Sequence, residues 1–333
     1  MTRRNGIVFV LMMIAGVAIF YWSFRNVSMV QLMQDLRGAN WWWLLVALLA
    51  MVVYLLLESI VVKVFVDDSH EKLSWSDAIR IPLVEQFGNG ITPFSAGGQP
   101  MQLITLIQAG VDPGRAGSIL LMKFVVYQAM IVINFFIAIV VGYQFIADKL
   151  KAWSLFVILG FIIHLVVIIT LLLVMYWPGL TKALVRVVFK PIKWIKPNKA
   201  EEWQQVVNEK IKNFHSESIR MSHDWWVLFK AIVLTLVQLT VYYLIPYFIL
   251  LALGASQVNI ILVMSLHVLI VMVISLFPIP GGTGGAEIGF SMLFSTFLPN
   301  AALLVCAMAL WRIITYYLGM FAGIVAFNIK SKQ

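Results

Sequence analysis

Phe277-Pro278-Ile279-Pro280-Gly281-Gly282-Thr283-Gly284-Gly285-Ala286-Glu287 interrupts an otherwise apolar run. Asn89-Gly90-Ile91-Thr92-Pro93-Phe94-Ser95-Ala96-Gly97-Gly98-Gln99-Pro100 does the same in the corresponding place of the first half. Each break carries Pro and Gly-Gly, and each then resumes an apolar run. Irregular backbone at membrane depth survives only where protein buries it or where it lines a wet cavity. Paired interruptions in matching positions therefore point to the binding site of a transporter.

The rest of the chain reads as membrane. Of its 333 residues, 62% are hydrophobic and 12% charged, which excludes a soluble globular domain. The net charge of +9 sits mainly in loops between apolar runs. That is the positive-inside pattern, and it argues against a nucleic-acid partner. One cysteine, Cys306, excludes an internal disulfide framework and a cysteine-based zinc site. The histidines have no metal-like spacing, and His164 and His267 fit hydrogen-bonded structural roles within spans. No metal and no cofactor is expected. Met1-Thr2-Arg3-Arg4-Asn5 precedes an apolar run too long for a signal peptide and without a small-residue cleavage site, so it reads as a retained first span.

The expected fold class is an all-α polytopic membrane protein with about six transmembrane helices and two re-entrant broken-helix hairpins. Full spans fall at roughly 6–25, 41–66, 117–146, 152–177, 227–253 and 301–327, with the hairpins at 77–110 and 259–298. Trp41, Trp42, Trp43, Trp153, Trp177, Trp225 and Trp226 fall at span ends, as an interfacial belt requires. Loop charges put the N-terminus, the C-terminus and the basic segment 178–226 in the cytoplasm. With that parity the first hairpin enters from the cytoplasm and the second from outside. Residues 1–146 and 152–327 then form an inverted repeat, the simplest architecture for alternating access. Within 178–226, Trp194, Trp203, Val206, Val207, Ile211 and Phe214 alternate with lysines. This reads either as an amphipathic helix on an anionic leaflet or as a solvated connector between the halves.

Ionisable residues inside spans are costly and default to functional roles. The chain has Glu58, Lys63, Arg80, Glu85, Lys123, Lys230, Glu287 and Arg312 in such places. Lys63 and Lys230 lie near span ends and reach the interface, and Arg80 is expected to do so from early in its half-helix. Glu85, Lys123, Glu287 and Arg312 are deeper and remain as coupling or buried-charge candidates. Pro100 suits the first turn of a helix, and Gly97, Gly98, Gly281, Gly282, Gly284 and Gly285 allow a close backbone approach. Two converging helix N-termini make an anion site suited to a phosphate headgroup. Asn89, Thr92, Ser95 and Gln99 stand beside the first terminus. Arg312 and Tyr316 come from the last span, where Arg312 offers two-pronged phosphate contacts. Glu287, in a helical first turn, has two readings: it caps that helix and pairs with Arg312, or it releases Arg312 on protonation or phosphate arrival. No catalytic residue is expected, because no nucleophile, metal cluster or paired carboxylate stands at catalytic spacing.

The motif Asn89-x-x-Thr92-Pro93-x-Ser95-x-Gly97-Gly98-x-Pro100, with Pro278-x-Pro280-Gly281-Gly282-x-Gly284-Gly285-x-Glu287 and Arg312, resembles the lysylphosphatidylglycerol synthase transmembrane-region family. The similarity runs from about residue 5 to 327. The resemblance implies a flippase-like protein of the bacterial plasma membrane. In two-part members this region moves aminoacylated phosphatidylglycerol to the outer leaflet and lowers susceptibility to cationic antimicrobial peptides. Those members add a soluble lysyltransferase domain. The present chain stops at Gln333, so the expectation is a non-enzymatic transporter whose partner is a membrane phospholipid or a lipid-linked phosphate. A polyprenyl-phosphate-linked substrate, or a scaffold for a separate lipid-modifying synthase, is the alternative.

Overall fold

The computed structural model describes residues 36–67, 72–183, 197–255, 257–298 and 300–329, without the side chains of 144–153, 197–208 and 210. The span expected at 6–25 lies outside these residues, as do Arg186, Lys190, Lys193, Trp194 and Lys196. The described residues are helical and contain no strand. Helices α1 (Trp41–Val66), α2 (Trp75–Ile91) and α3 (Gly98–Gln108) are followed by α4 (Pro113–Tyr176) and α5 (Pro197–His223). Then come α6 (Trp225–Ala252), α7 (Ile260–Ile274), α8 (Gly285–Phe294), α9 (Ala301–Arg312) and α10 (Leu318–Asn328).

Short polar residues start these helices. Asn40 caps α1, Ser74 caps α2, Asp112 caps α4 ahead of Pro113, Asp224 caps α6, Asn259 caps α7 and Asn300 caps α9. Each accepts a hydrogen bond from a first-turn N–H. Among the described residues, five segments are long and apolar enough to cross a membrane: α1, the two arms Pro113–Tyr143 and Ser154–Tyr176 of α4, α6, and Ala301–Asn328. The protein is an all-α polytopic membrane protein.

Helix α4 does not run straight. His164 Nδ1 lies 2.8 Å from Gln128 Oε1, whereas 36 residues of straight helix would separate them by about 54 Å. Phe161 packs on Phe135 and Phe136, so the two arms lie antiparallel. Ser154–Tyr176 is the least covered of the described spans, with 17% of its most apolar window buried. It meets α7 through Gly160, where a Cβ would strike the Met272 carbonyl oxygen. Backbone cannot yield as a side-chain tip does. Gly160→Ala is expected to cost about 1–3 kcal/mol, read as a lowered thermal midpoint of the purified protein.

Helices α1 and α6 pair antiparallel over their whole length. The Asn40 N–H donates to the Ala252 carbonyl at one end. Trp43 stacks on Phe248, and Tyr54 packs at a tilt on Tyr242 further along. Lys63 and Lys230 line one cavity at the other end. Helix α2 follows α1 and α7 follows α6 through short connections, so they start at opposite ends of this pair.

Each of α2 and α7 is the first arm of a helical hairpin. In the first, Arg80 of α2 donates to Gln108 of α3 at the open end (2.7 Å), and Gly88 abuts Gly97 at the tip. In the second, α8 returns along α7, with Gly289 beside Ile270 and Gly282 against Ile274. The returning arms are 11 and 10 residues, or about 16 and 15 Å, half of the ~30 Å hydrocarbon core.

Arg80 does not reach outward as expected. It is buried, with Nε donating to the Ala326 carbonyl (3.0 Å), because the end of α10 covers it. Trp41, Trp42, Trp177, Trp225 and Trp226 are exposed at helix ends. Helix α5 uses its apolar stripe inward: Ile211, His215, Ser218 and Met221 are buried. Ser118 Oγ donates to the Phe214 carbonyl (2.7 Å) and His215 Nδ1 lies 3.0 Å from the Met175 carbonyl. Over its described side chains this face is therefore spent on protein rather than left for a leaflet.

Candidate functional site

The two hairpin tips share a backbone. Pro93 is followed by Phe94 and Ser95 at φ 52° and 53°, and Pro280 by Gly281 and Gly282 at φ 64° and 62°. A proline sets the entry and two left-handed residues reverse the chain. Glycine adopts this without strain, while the first tip holds two residues with side chains there. The two turns adjoin, and Tyr316 Oη donates to the Gly90 carbonyl (2.8 Å), tying the last span to the first hairpin.

Within the first tip, Thr92 closes the loop. Its hydroxyl donates to the Gly88 carbonyl (2.8 Å) and accepts from the Gly97 N–H (2.7 Å). A Cβ at Gly98 would strike the Asn89 amide. Asn89, Thr92, Gly97 and Gly98 thus hold the tip shut, with Ser95 half-buried and Phe94 exposed beside them. Gln99 points elsewhere, its Nε2 3.4 Å from Glu85 Oε1.

The second tip is built around Arg312. Its Nε donates to Glu287 Oε1 (2.7 Å), Nη1 to the Gly281 carbonyl (2.9 Å) and Nη2 to Thr283 Oγ1 (3.3 Å). Its guanidinium lies 4.8 Å from the Tyr316 ring centroid and 5.7 Å from that of Trp311. The other Glu287 oxygen accepts from the Gly284 N–H (2.6 Å), giving α8 a capping box. Glu287 therefore does what its capping-and-pairing reading expects. Each guanidinium nitrogen has one protein acceptor, and Nη1 and Nη2 each carry a second N–H. Tyr316 lies over the tip because Ile313–Tyr317 forms a π turn, a local widening of the helix that recurs at functional sites. A Cβ on Gly281 would enter the Tyr316 ring.

Glu85 and Lys123 are not at the tips. They form a second buried cluster with Glu58 of α1 and Gln102 of α3. Lys123 Nζ donates to Glu85 Oε2 (2.8 Å) and to Glu58 Oε1, and Gln102 Nε2 donates to Glu85 Oε2. Sequence reasoning lists Glu58 among intramembrane charges without carrying it to a site, and it does not single out Gln102 or Thr283. Glu58 could have been found as a carboxylate in a span that also supplies Tyr54. Nothing in the sequence distinguishes Gln102 from other polar helix residues.

A chain of rings joins the clusters. Tyr54, one turn before Glu58, packs on Tyr242 (5.1 Å), and Tyr242 stacks on His267 (4.9 Å). Trp311 Nε1, next to Arg312, donates to His267 Nε2 (3.2 Å). His267 and His164 are buried and hydrogen-bonded, the structural roles expected of them. An apolar cavity of about 330 Å³ opens between α1, α2 and α10, lined by Leu48, Val52, Leu55, Leu83, Leu318 and Ala322 among others.

Comparison with known proteins agrees with this architecture. The chain is 27% identical over 307 residues to a UPF0104 membrane protein of Archaeoglobus fulgidus, covering 89% of this chain and 90% of the relative. The family model of the lysylphosphatidylglycerol synthase TM region matches residues 6–323. With nearly its whole length matched, the chain belongs to the lysylphosphatidylglycerol synthase transmembrane-region family.

Proposed function

We propose that this protein is a flippase-like transporter that carries a lipid with an anionic phosphate headgroup across the bacterial plasma membrane. The substrate class is an anionic or aminoacylated phospholipid of the lysylphosphatidylglycerol type. A polyprenyl-phosphate-linked lipid offers the same headgroup chemistry. One observation carries the reading: two helical hairpins start at opposite ends of the α1–α6 pair and meet tip to tip, beside a buried arginine. In this proposal both hairpins are re-entrant and the two halves are inverted repeats. The matching Pro–left-handed–left-handed turns support that relation.

The first-turn N–H groups of α3 and α8 have no intrahelical acceptor, and with the helix dipoles they favour an anion near the tips. An arriving phosphate takes the place of Glu287 Oε1 on Arg312, exchanging one charge-assisted bond for another. Glu287 keeps its bond to the Gly284 N–H. The acyl chains stay in lipid and in the groove between α1, α2 and α10, which Gly319, one turn after Tyr316, helps to line. The basic end of the bundle, with Lys63, Arg115, Lys212, Arg220 and Lys230, faces the cytoplasm, and both termini lie on that side.

Lipid-dependent stabilisation of the purified protein tests headgroup recognition. Phosphatidylglycerol, its lysyl ester and a polyprenyl phosphate are compared with phosphatidylcholine. A cognate lipid at about a hundredfold over its Kd is expected to add about 2.7 kcal/mol. Glu287→Gln weakens the competitor for Arg312 while retaining a capping side chain, so it is expected to tighten that binding. Equal stabilisation by all four lipids would contradict a headgroup site and leave the scaffold for a separate synthase as the better reading.

A further inference from the structure

Glu58, Glu85 and Lys123 set two carboxylates against one ammonium in the interior. Glu58 is 3% exposed, Lys123 5% and Gln102 0%. Lys123 gives N–H groups to both carboxylates, and Gln102 gives one to Glu85. Two buried acceptors are left with no donor: Glu58 Oε2 and Gln102 Oε1. Both deficits point the same way, since the cluster has one negative charge too many and too few hydrogens.

Among the described residues, the other titratable or polar groups facing it supply no cation. They are Tyr54 on α1, Asn89 on α2, Gln99 on α3 and Tyr127 on α4, with Tyr242 of α6 next to the two tyrosines. An uncompensated carboxylate in such surroundings is expensive, and neutralisation is the usual remedy. One proton on Glu58 removes the excess charge, turns Glu58 into a donor, and leaves Glu85 and Lys123 as a balanced pair.

We infer that the Glu58–Glu85–Lys123 cluster is a proton-binding site that holds one exchangeable proton, carried on Glu58. The inference rests on the cluster's geometry and does not require that the chain moves lipid. Atoms balance simply: a hydronium ion gives its proton to Glu58 Oε2, one hydronium O–H bond breaks as the carboxyl O–H bond forms, and water is left. Its place in the fold gives it reach. Tyr54 begins the chain of rings that ends at Arg312, and Ser59, the next residue, lines the apolar groove.

Infrared difference spectroscopy of the reconstituted full chain reads this directly, through the carbonyl stretch of a protonated carboxyl group. At neutral pH the wild type is expected to show one such band. Glu58→Gln and Glu85→Gln each leave one carboxylate for one lysine, so both are expected to lose it. Lys123→Met leaves two carboxylates and no cation, so the band is expected to double. The wild-type spectrum needs no variant to fold. Absence of the band at neutral pH would overturn the inference, as would an unchanged band in Glu58→Gln. Loss of the band on replacing choline by sodium would also overturn it, assigning the free acceptors to a metal cation.

Discussion

Arg312→Ala is expected to cost about 3–5 kcal/mol of stability and to abolish lipid translocation. The stability loss comes from what remains. Glu287, 7% exposed, keeps its bond to the Gly284 N–H but loses its counter-charge. Removing one member of a buried pair costs this much because the other is left uncompensated. The Gly281 carbonyl and Thr283 hydroxyl lose their donor, and the Tyr316 ring loses its cation. The double variant Arg312→Met with Glu287→Gln separates structure from function. It removes both charges, and glutamine at the third helical position still caps α8. Most of the stability is expected to return, while translocation is not. Chemical denaturation and a leaflet assay on the same preparations check the two halves of this prediction. A double variant that regained transport would show that Arg312 serves only to hold the tip.

Lys123→Met carries the second large effect. Both carboxyl groups must then be held protonated in a buried site without a cation, at an expected cost of about 3–5 kcal/mol at neutral pH. The loss is expected to shrink as the pH falls toward the ordinary carboxylate range, where the unfolded chain protonates them too. Glu58→Gln should behave in the opposite way. It removes the unbalanced carboxylate and keeps the shape, so its stability is expected to stay within about 1 kcal/mol of wild type. Thermal midpoints measured across pH compare the variants. Equal destabilisation by Lys123→Met and Glu58→Gln would mean that the cluster is not organised by its charge imbalance.

Much of the fold was legible in the chain because membrane physics leaves few choices. Twenty or so apolar residues between capping Asn, Asp or Ser make a span, and Pro with Gly-Gly breaks one. The observed helices α1, α6 and Ala301–Asn328 fall on the expected spans, and the breaks at 92–97 and 279–284 fall on the quoted motifs. The pairing of Arg312 with Glu287 was legible too, since both are costly charges in the same half. Other features depend on contacts that no local pattern encodes. Glu58 joins Glu85 and Lys123 only because α1, the first hairpin and α4 pack together. Arg80 lies under α10, some 246 residues away in sequence, so its position early in a half-helix misled. The π turn at Ile313–Tyr317 has no Pro, Gly or charge to announce it, yet it lays Tyr316 across Gly281. The inward packing of α5 could not be told from a leaflet-bound helix, because an apolar stripe looks the same against protein or lipid.

The proposed function requires the meeting tips to carry a lipid headgroup across the membrane. Leaflet translocation in proteoliposomes tests it most directly, with labelled phosphatidylglycerol, its lysyl ester and a polyprenyl phosphate assayed in parallel. Wild-type protein is expected to speed the flipping of at least one of these lipids, and Arg312→Ala is not. Acceleration of none by folded wild-type protein, or equal acceleration by wild type and Arg312→Ala, would contradict it.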